Sequence, residues 1–427
     1  MRVIVRVSTA LLLVLACTTW AWGAVVTCTW TGGAADNLWT TAGNWTPSRP
    51  GYGNPILLND TTLNGGVPST ILVGATMPFG TDGTDNGLKI TTSHDITFAK
   101  SGSGAAMQIN SNSTVTIDPA DGLGHTYIFA SSPCPTAVNG HSDPTFDVRG
   151  SSVMVMDGGS VNLGPTSFTK KGTGTLRLGD ATNPTWYFGV MAGGCNIQAG
   201  VLELKTGGLW SGASTTVNSW VNISSGATVW CENGSNSSGH WVSFKGNGQI
   251  VLNTALDHTG TVKTLTGYAT TYAPGDVGTS GLLSIYGNVG FTLPNWSGTG
   301  CPTACTMNVD ITGSGTTAGT DFDQLAISGT VQSYDSALHL LTNPLASCDL
   351  VVNGTGAVEG NSYTFLTSGN SLAAATFKSV TVNNTALPYT VAPIAGDLGY
   401  QIAFTPEPAT MSLLVLGGLA MLKRRML

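Results

Sequence analysis

The amino-acid sequence predicts an all-β protein folded as a parallel β-solenoid, and three observations support this prediction. Short runs rich in β-branched and apolar residues alternate with turns of Gly, Asn, Asp or Ser, for example at residues 70–73 and 114–117. Strands that begin with glycine recur at a spacing typical of one solenoid coil. Before the C-terminal tail, no segment keeps a helical period over more than about ten residues.

The N-terminus has the features of a secretory leader. Two arginines precede an apolar run at residues 10–16, and small residues fit a signal-peptidase site before Ala24. Residues 1–23 are therefore predicted to be a signal peptide that signal peptidase removes. Cys17 leaves a lipoprotein anchor open as an alternative, although Leu15 is bulkier than such sites usually require.

The predicted solenoid occupies residues 24–295 and begins with a tryptophan-rich cap. Trp30, Trp39 and Trp45 lie close together in the sequence. We interpret these side chains as a lid over the first coil, because the open end of a solenoid must be covered. The alternative is a platform on which sugar rings stack.

The clearest internal repeat lies between residues 170 and 253. Gly174, Gly200 and Gly226 are spaced twenty-six residues apart, and Gly248 follows after twenty-two. One such unit cannot bury its apolar face alone, whereas units stacked about 4.8 Å apart bury a continuous core. A glycine before each strand fits a corner that needs a permissive backbone. A β-sandwich, the rival fold, does not predict this recurrence.

Two of these segments resemble a known repeat. Residues 169–178 and 199–204, with their Gly-Thr-Leu-Arg-Leu and Gly-Val-Leu-Glu-Leu patterns, are similar to the autotransporter-associated β-strand repeat. This resemblance implies that the coils form a right-handed parallel β-helix.

Residues 296–404 are predicted to form a C-terminal β region that ends in a β cap. Cys301 and Cys305 open this region, and a local disulfide between them is favoured over a zinc half-site, because no second Cys or His pair lies nearby to complete four ligands. Cys195 and Cys231 lie on neighbouring repeats, and we interpret them as a candidate bridge between coils.

An acidic segment near residue 320 has two interpretations. It resembles an Asp-x-Leu-x-Val-x-Gly pattern found near the C-terminal end of autotransporter-like surface proteins. Asp321 and Asp323 have the chemistry to bind calcium or to act as an acid and a base. The favoured interpretation is structural: Phe322, Leu325 and Ile327 belong to the core and both carboxylates face water.

Residues 405–427 form a distinct tail. Pro406 and Pro408 remove two backbone donors, so the preceding strand has to end there. The apolar residues 409–422 are predicted to form a short hydrophobic helix with a rise of about 21 Å, against about 30 Å for a hydrocarbon core. Three cations, Lys423, Arg424 and Arg425, then favour the cytoplasmic side.

This tail resembles the PEP-CTERM sorting signal. The matching residues are the turn Pro406, Glu407 and Pro408, the apolar helix and the basic end Lys423, Arg424 and Arg425. The resemblance implies transient insertion into the inner membrane and removal of the tail by an exosortase. It also implies a Gram-negative host that makes exopolysaccharide.

Composition and motifs narrow the functional classes. Charged residues make up 9% of the chain and the formal net charge is −7, which argues against nucleic acid as a partner. The six histidines have no metal-ligand spacing, and no nucleophile elbow or phosphate loop occurs. The sequence therefore predicts no catalytic set, no metal and no cofactor.

The sequence favours a non-enzymatic, exported β-helix protein of the cell surface or extracellular matrix. Such a protein would associate with a biofilm or exopolysaccharide and have an adhesive role. The alternative is a carbohydrate-active β-helix protein, either a polysaccharide lyase or hydrolase or a glycan-binding module.

Overall fold

A computed structural model describes part of the chain in detail. The described residues are 26–34, 36–51, 54–60, 68–74, 77–79, 87–101, 107–109, 113–130, 144–157, 167–179, 188–190, 194–205, 209–211, 219–232, 235–237, 242–268, 271–275, 278–292, 304–335, 339–383 and 385–406.

The chain winds into a stack of coils, and successive coils add one strand to each of two long sheets. All neighbouring strands of the first sheet are parallel except for the two at its N-terminal edge, which are antiparallel. In spatial order its strands are Trp45–Thr46, Cys28–Trp30, Ile56–Leu58, Leu88–Ile90, Thr114–Ile117, Thr145–Val148, Phe168–Lys171, Cys195–Ile197, Ser219–Ile223, Val242–Gly246, Thr271–Pro274, Cys305–Asp310, Cys348–Asn353 and Ser379–Asn383.

The second sheet receives the next strand of each coil. It is parallel up to its C-terminal edge, where the last two strands are antiparallel. In spatial order its strands are Thr70–Val73, Ile96–Lys100, Thr126–Ala130, Val153–Asp157, Thr175–Leu178, Val201–Leu204, Thr228–Cys231, Gln249–Val251, Leu282–Tyr286, Gln324–Ile327, Ser362–Thr367, Gly399–Phe404 and Tyr389–Pro393.

Shorter sheets form a third face of the stack, and they too are parallel. Two of them have two strands each, Met77–Phe79 with Met107–Ile109 and Phe188–Val190 with Leu209–Ser211. The third consists of Ser235–Ser237, Thr264–Tyr268, Asn288–Thr292 and Val331–Tyr334. One turn of 3₁₀-helix, Ala42–Asn44, lies in the N-terminal segment.

The core runs along the axis of the stack, because alternate residues of each strand point inward. Leu176, Leu202, Val229 and Ile250 are direct partners on four neighbouring strands of the second sheet, and all four are fully buried. The all-β prediction and the parallel solenoid are therefore confirmed. A β-sandwich, the rival fold, would be built from antiparallel sheets.

The predicted repeat corresponds to one coil, although its spacing varies. Thr175 pairs with Val201, Val201 with Thr228, and Thr228 with Gln249. The strand of the third repeat therefore begins at Thr228, one residue later than the glycine spacing indicates. Ala227, which is fully buried, takes the position before the strand, and Gly226 lies one residue earlier.

The boundary predicted between residues 295 and 296 does not interrupt the stacking of the strands. Thr271–Pro274 pairs with Cys305–Asp310, which pairs with Cys348–Asn353 and then with Ser379–Asn383, always in parallel. Among the strands of the second sheet, antiparallel pairing begins with Gly399–Phe404, at the C-terminal edge. The hydrophobic helix predicted for residues 409–422 lies outside the described residues.

Candidate functional site

The predicted sorting signal begins where the fold ends. Pro406 is half-buried and follows the last residue of the strand Gly399–Phe404 by two positions. The backbone N–H of Thr405 donates to the carbonyl of Pro388 at 2.9 Å, so the chain is hydrogen-bonded up to this point. The other predicted signal residues, Glu407, Pro408, Lys423, Arg424 and Arg425, lie outside the described residues, as does the leader 1–23. Among the described residues, no helix is long and apolar enough to cross a membrane.

The tryptophans near the N-terminus are buried at the first coil. Trp30, Trp39 and Trp45 are at most 5% exposed. Trp45 contacts Trp30 and Trp39 edge to face, with centroid distances of 5.0 Å and 4.6 Å. The indole N–H of Trp45 donates to the Trp39 carbonyl at 2.9 Å. Since the rings are covered by one another and by the coil, these three side chains offer no open face for stacking on a sugar.

The acidic segment near residue 320 corrects one expectation. Phe322, Leu325 and Ile327 are buried, as predicted. Asp321 is half-buried, but Asp323 does not face water, since it is only 2% exposed. The sequence prediction was wrong for Asp323 because a polar residue beside a strand was assumed to point outward.

Asp323 holds together two corners of the solenoid. Its Oδ1 accepts a hydrogen bond from the N–H of Gly281 at 2.7 Å, and its Oδ2 accepts one from the N–H of Asp310 at 2.8 Å. Burial raises the pKa of Asp323 to about 8, although both backbone hydrogen bonds act in the opposite direction. Each carboxylate oxygen is already engaged, so the arrangement joins backbone segments.

The neighbouring carboxylates have the same role. Asp310 Oδ2 accepts from the N–H of Gly278, and Asp321 Oδ2 accepts from the N–H of Thr317, at 2.8 Å and 2.9 Å. Within the described ranges, no group of three or more His, Cys, Asp or Glu side chains is placed to hold a metal ion.

A charged cluster lies on the outer face of the second sheet. Glu203 is 1% exposed, and its two oxygens contact Arg177 at 2.8 Å and Lys205 at 3.2 Å. Lys205 also contacts Glu232 at 2.6 Å. Arg177 and Glu203 face each other because they are partners on neighbouring strands, 26 residues apart in sequence. Each carboxylate has its own cation, an arrangement typical of a structural ion-pair network.

A shallow groove opens farther along the same face, with a volume of about 160 Å³. It crosses three neighbouring coils, since Ser284 pairs with Ala326 and Ala326 pairs with Thr367. The lining residues are Ser284, Ile285, Tyr286, Ala326, Ile327, Ser328 and Thr367. Hydroxyl groups and one aromatic ring therefore face the groove, which is a combination suited to neutral sugars.

The tyrosine of this groove is held by a loop that the sequence did not point to. His258 stacks on Tyr286 with a centroid distance of 4.0 Å and an interplanar angle of 17°. The same loop accepts a hydrogen bond from Trp230, whose indole N–H donates to the Asn253 carbonyl at 2.8 Å. The register of neighbouring coils brings together residues that are far apart in the sequence, so no local pattern could have identified this site.

The cysteines overturn one predicted bridge. Cys195 and Cys231 are free and buried, and they lie on different sheets, where their partners on the preceding strands are Phe168 and Leu204. The proposed bridge between them is therefore wrong: adjacent repeats in the sequence do not bring residues on different faces together. Cys301, the predicted partner of Cys305, lies outside the described residues.

No protein-family model, curated protein or solved structure matches this chain.

Proposed function

We propose that this chain is an exported, non-enzymatic β-helix protein of the cell surface or extracellular matrix. In this proposal the coils are right-handed, signal peptidase removes residues 1–23, and an exosortase removes the C-terminal tail after transient insertion into the inner membrane of a Gram-negative cell. The mature solenoid then associates with exopolysaccharide.

The observation that carries the proposal is the position of Pro406. The solenoid ends in antiparallel strands, and the sorting pattern starts two residues after the last of them. A cut beyond this point would leave every described strand intact. The regular face of stacked coils also suits a structural role, because a solenoid presents a long surface built from repeated units.

Export experiments with tail variants test this proposal. Glu407→Ala should weaken recognition of the signal, so the protein should accumulate in the membrane fraction at the expense of the surface and medium. Glu359→Ala, which changes an acidic residue in a turn of the solenoid, is the matched control and should leave the distribution unchanged. Equal release of both variants into the medium would contradict exosortase processing.

The groove favours a second candidate function, a glycan-binding module. Ser284, Ser328 and Thr367 supply hydroxyl groups around the ring of Tyr286. Aromatic stacking with hydroxyl hydrogen bonds is a common way to bind sugars weakly, and repetition along a polymer would raise the avidity. A lyase or hydrolase would also need both an acid and a base in the groove, and Tyr286 is the single titratable side chain of its lining.

A pull-down with the host's exopolysaccharide tests the groove. Tyr286→Ala should reduce binding at least several-fold, while Tyr389→Ala, at an exposed tyrosine of the C-terminal strands, should not. Binding that is unchanged by both substitutions would place the glycan elsewhere, and release of shortened oligosaccharides would favour the enzymatic alternative.

A further inference from the structure

Two cysteines face each other inside the stack. Cys305 and Cys348 are the first residues of neighbouring parallel strands, Cys305–Asp310 and Cys348–Asn353, and they are direct partners in the register. Both side chains point into the core, with exposures of 1% and 0%. Both cysteines are free thiols in this structure, and the neighbouring Cys348 adds to the effect of burial in raising the pKa of the Cys305 thiol.

The spacing of parallel strands suits a covalent bond at this position. Facing residues on neighbouring strands are about 4.8 Å apart, which lies within the range of about 4.4–6.8 Å between the Cα atoms of a disulfide. The ladder between these strands continues in register through six residue pairs, so the two cysteines are held face to face.

We propose that Cys305 and Cys348 form a disulfide that joins two successive coils. The compartment in which it forms depends on the export proposed above, because disulfides persist outside the reducing cytosol. Each thiol loses its proton, a bond forms between the two sulfur atoms, and the two electrons pass to the disulfide of a thiol oxidant such as oxidised glutathione, which is reduced to two thiols.

This pairing excludes the bridge between Cys301 and Cys305, since one sulfur atom forms one disulfide. It also has a kinetic consequence. Burial raises the pKa of Cys305 well above its usual range, and the thiolate is the reactive form. The bond is therefore expected to form while the chain folds, and the folded dithiol form should react slowly with alkylating reagents.

Peptide mapping separates the two pairings. The chain is unfolded, refolded with oxidised and reduced glutathione, treated with iodoacetamide and cleaved before aspartate residues without reduction. Cleavage before each aspartate places Cys301 and Cys305 together in the peptide 276–309, and it places Cys348 in the peptide 335–348. We expect these two peptides to be linked and Cys301 to be alkylated. A loop within 276–309, or alkylation of both Cys305 and Cys348, would overturn the proposal.

Substitutions provide the matched controls. Cys305→Ser and Cys348→Ser should each abolish the link between the two peptides, while Cys195→Ser, at a buried cysteine that pairs with Phe168 and Val221, should leave it in place. The peptide map of the wild-type protein tests the Cys305–Cys348 pairing even if a variant fails to fold. Refolding in glutathione does not depend on export, so a failed link would count against the pairing alone, and a failure of export in cells would leave it standing.

Discussion

Two corners between the first and second sheets bury ionisable side chains of opposite type, a lysine and an aspartic acid. At one corner, Lys170 occupies an inward position between Phe146 and Ile197 and is fully buried. Its ammonium donates to the carbonyls of Lys171 and Gly172, at 2.6 Å and 2.8 Å, and to that of Ala199 in the next coil at 3.2 Å. At the other corner, the buried carboxylate of Asp323 accepts from two backbone N–H groups.

The difference follows from the length of the corners. The Lys170 corner has three residues between the strands Phe168–Lys171 and Thr175–Leu178, and carbonyls of two stacked coils converge there. The Asp323 corner has thirteen residues between Cys305–Asp310 and Gln324–Ile327, and backbone N–H groups converge instead. Buried backbone groups need partners, so the side chain at each corner matches the groups that its turn leaves unpaired.

The largest expected effect comes from crowding the tight corner. Gly200 has φ +67°, and a Cβ there would overlap the carbonyl oxygens of Gly172 and Gly174. Gly200→Ala combines backbone strain with a clash against backbone atoms, so we expect a loss of at least about 3 kcal/mol in the free energy of unfolding. Chemical denaturation of the purified variant measures this loss.

Gly226→Ala is the matched control. Gly226 has φ +77°, but a Cβ there would meet no atom within 4 Å. Only the strain of the left-handed backbone remains, at about 1–2 kcal/mol. Equal losses of unfolding free energy for the two variants would show that the close contact between stacked corners does not add to the cost of a side chain at Gly200.

The next largest effect is expected at the longer corner. Asp323→Asn replaces one acceptor with an amide NH₂ that faces a backbone N–H, so one hydrogen bond is lost and a buried donor is left unpaired. We expect a loss of about 2–3 kcal/mol in the free energy of unfolding. Asp321→Asn, at the half-buried neighbour, should cost less than about 1 kcal/mol.

The pH dependence of stability tests the charge of Asp323. Its folded pKa of about 8 lies above the unfolded value of about 3.9, so the folded state binds the extra proton between these values. This contribution to stability is therefore fully present below about pH 3.9 and is lost as the pH rises to about 8. Asp323→Asn should remove this slope from denaturation curves measured at several pH values, and an unchanged slope would contradict the raised pKa.

Lys170→Met should have a smaller effect. The apolar stem is preserved, but three carbonyls lose their donor, and we expect a loss of about 1–2 kcal/mol. Lys171→Met, at the exposed neighbouring residue, should stay within about 0.5 kcal/mol of the wild type. A Lys170→Met variant more stable than the wild type at neutral pH would show that burial of the ammonium outweighs its hydrogen bonds.

The pH dependence at Lys170 has the opposite sign from that at Asp323. Burial lowers the pKa of Lys170 to about 8, against about 10.4 in the unfolded chain, while the charge of Asp147 acts in the opposite direction. Between these values the unfolded chain binds the extra proton, so stability rises with pH from about 8 to 10.4 and is flat below. Lys170→Met should abolish this rise in the same denaturation series.

The fold class could be predicted because each repeat carries its own local sequence signals. Each strand carries its own alternation, and the glycine before Val201 recurs one coil away from Gly174. Coil length varies, however, and Ala227 takes the place of the expected glycine because this coil is one residue longer than the one before it. The buried state of Lys170 was hidden, since a Lys-Lys pair beside a glycine turn looks like a solvated face.

The candidate groove was beyond sequence reasoning for a related reason. Ser284, Ala326 and Thr367 come together only through the register of three coils, and coils of this part of the chain differ in length. If the length of one coil is misjudged, the strand partners of every later coil are assigned wrongly. The cysteine pair shows the same limit: Cys305 and Cys348 lie far apart in the sequence, and the register of the strands places them side by side.

The most direct test of the central claim is the intact mass of the mature protein recovered from the cell surface or medium. We expect a chain that begins at Ala24 and ends before the apolar residues 409–422, so that Lys423, Arg424 and Arg425 are missing. A surface protein that retains these three residues would contradict removal of the tail and would establish a standing membrane anchor instead.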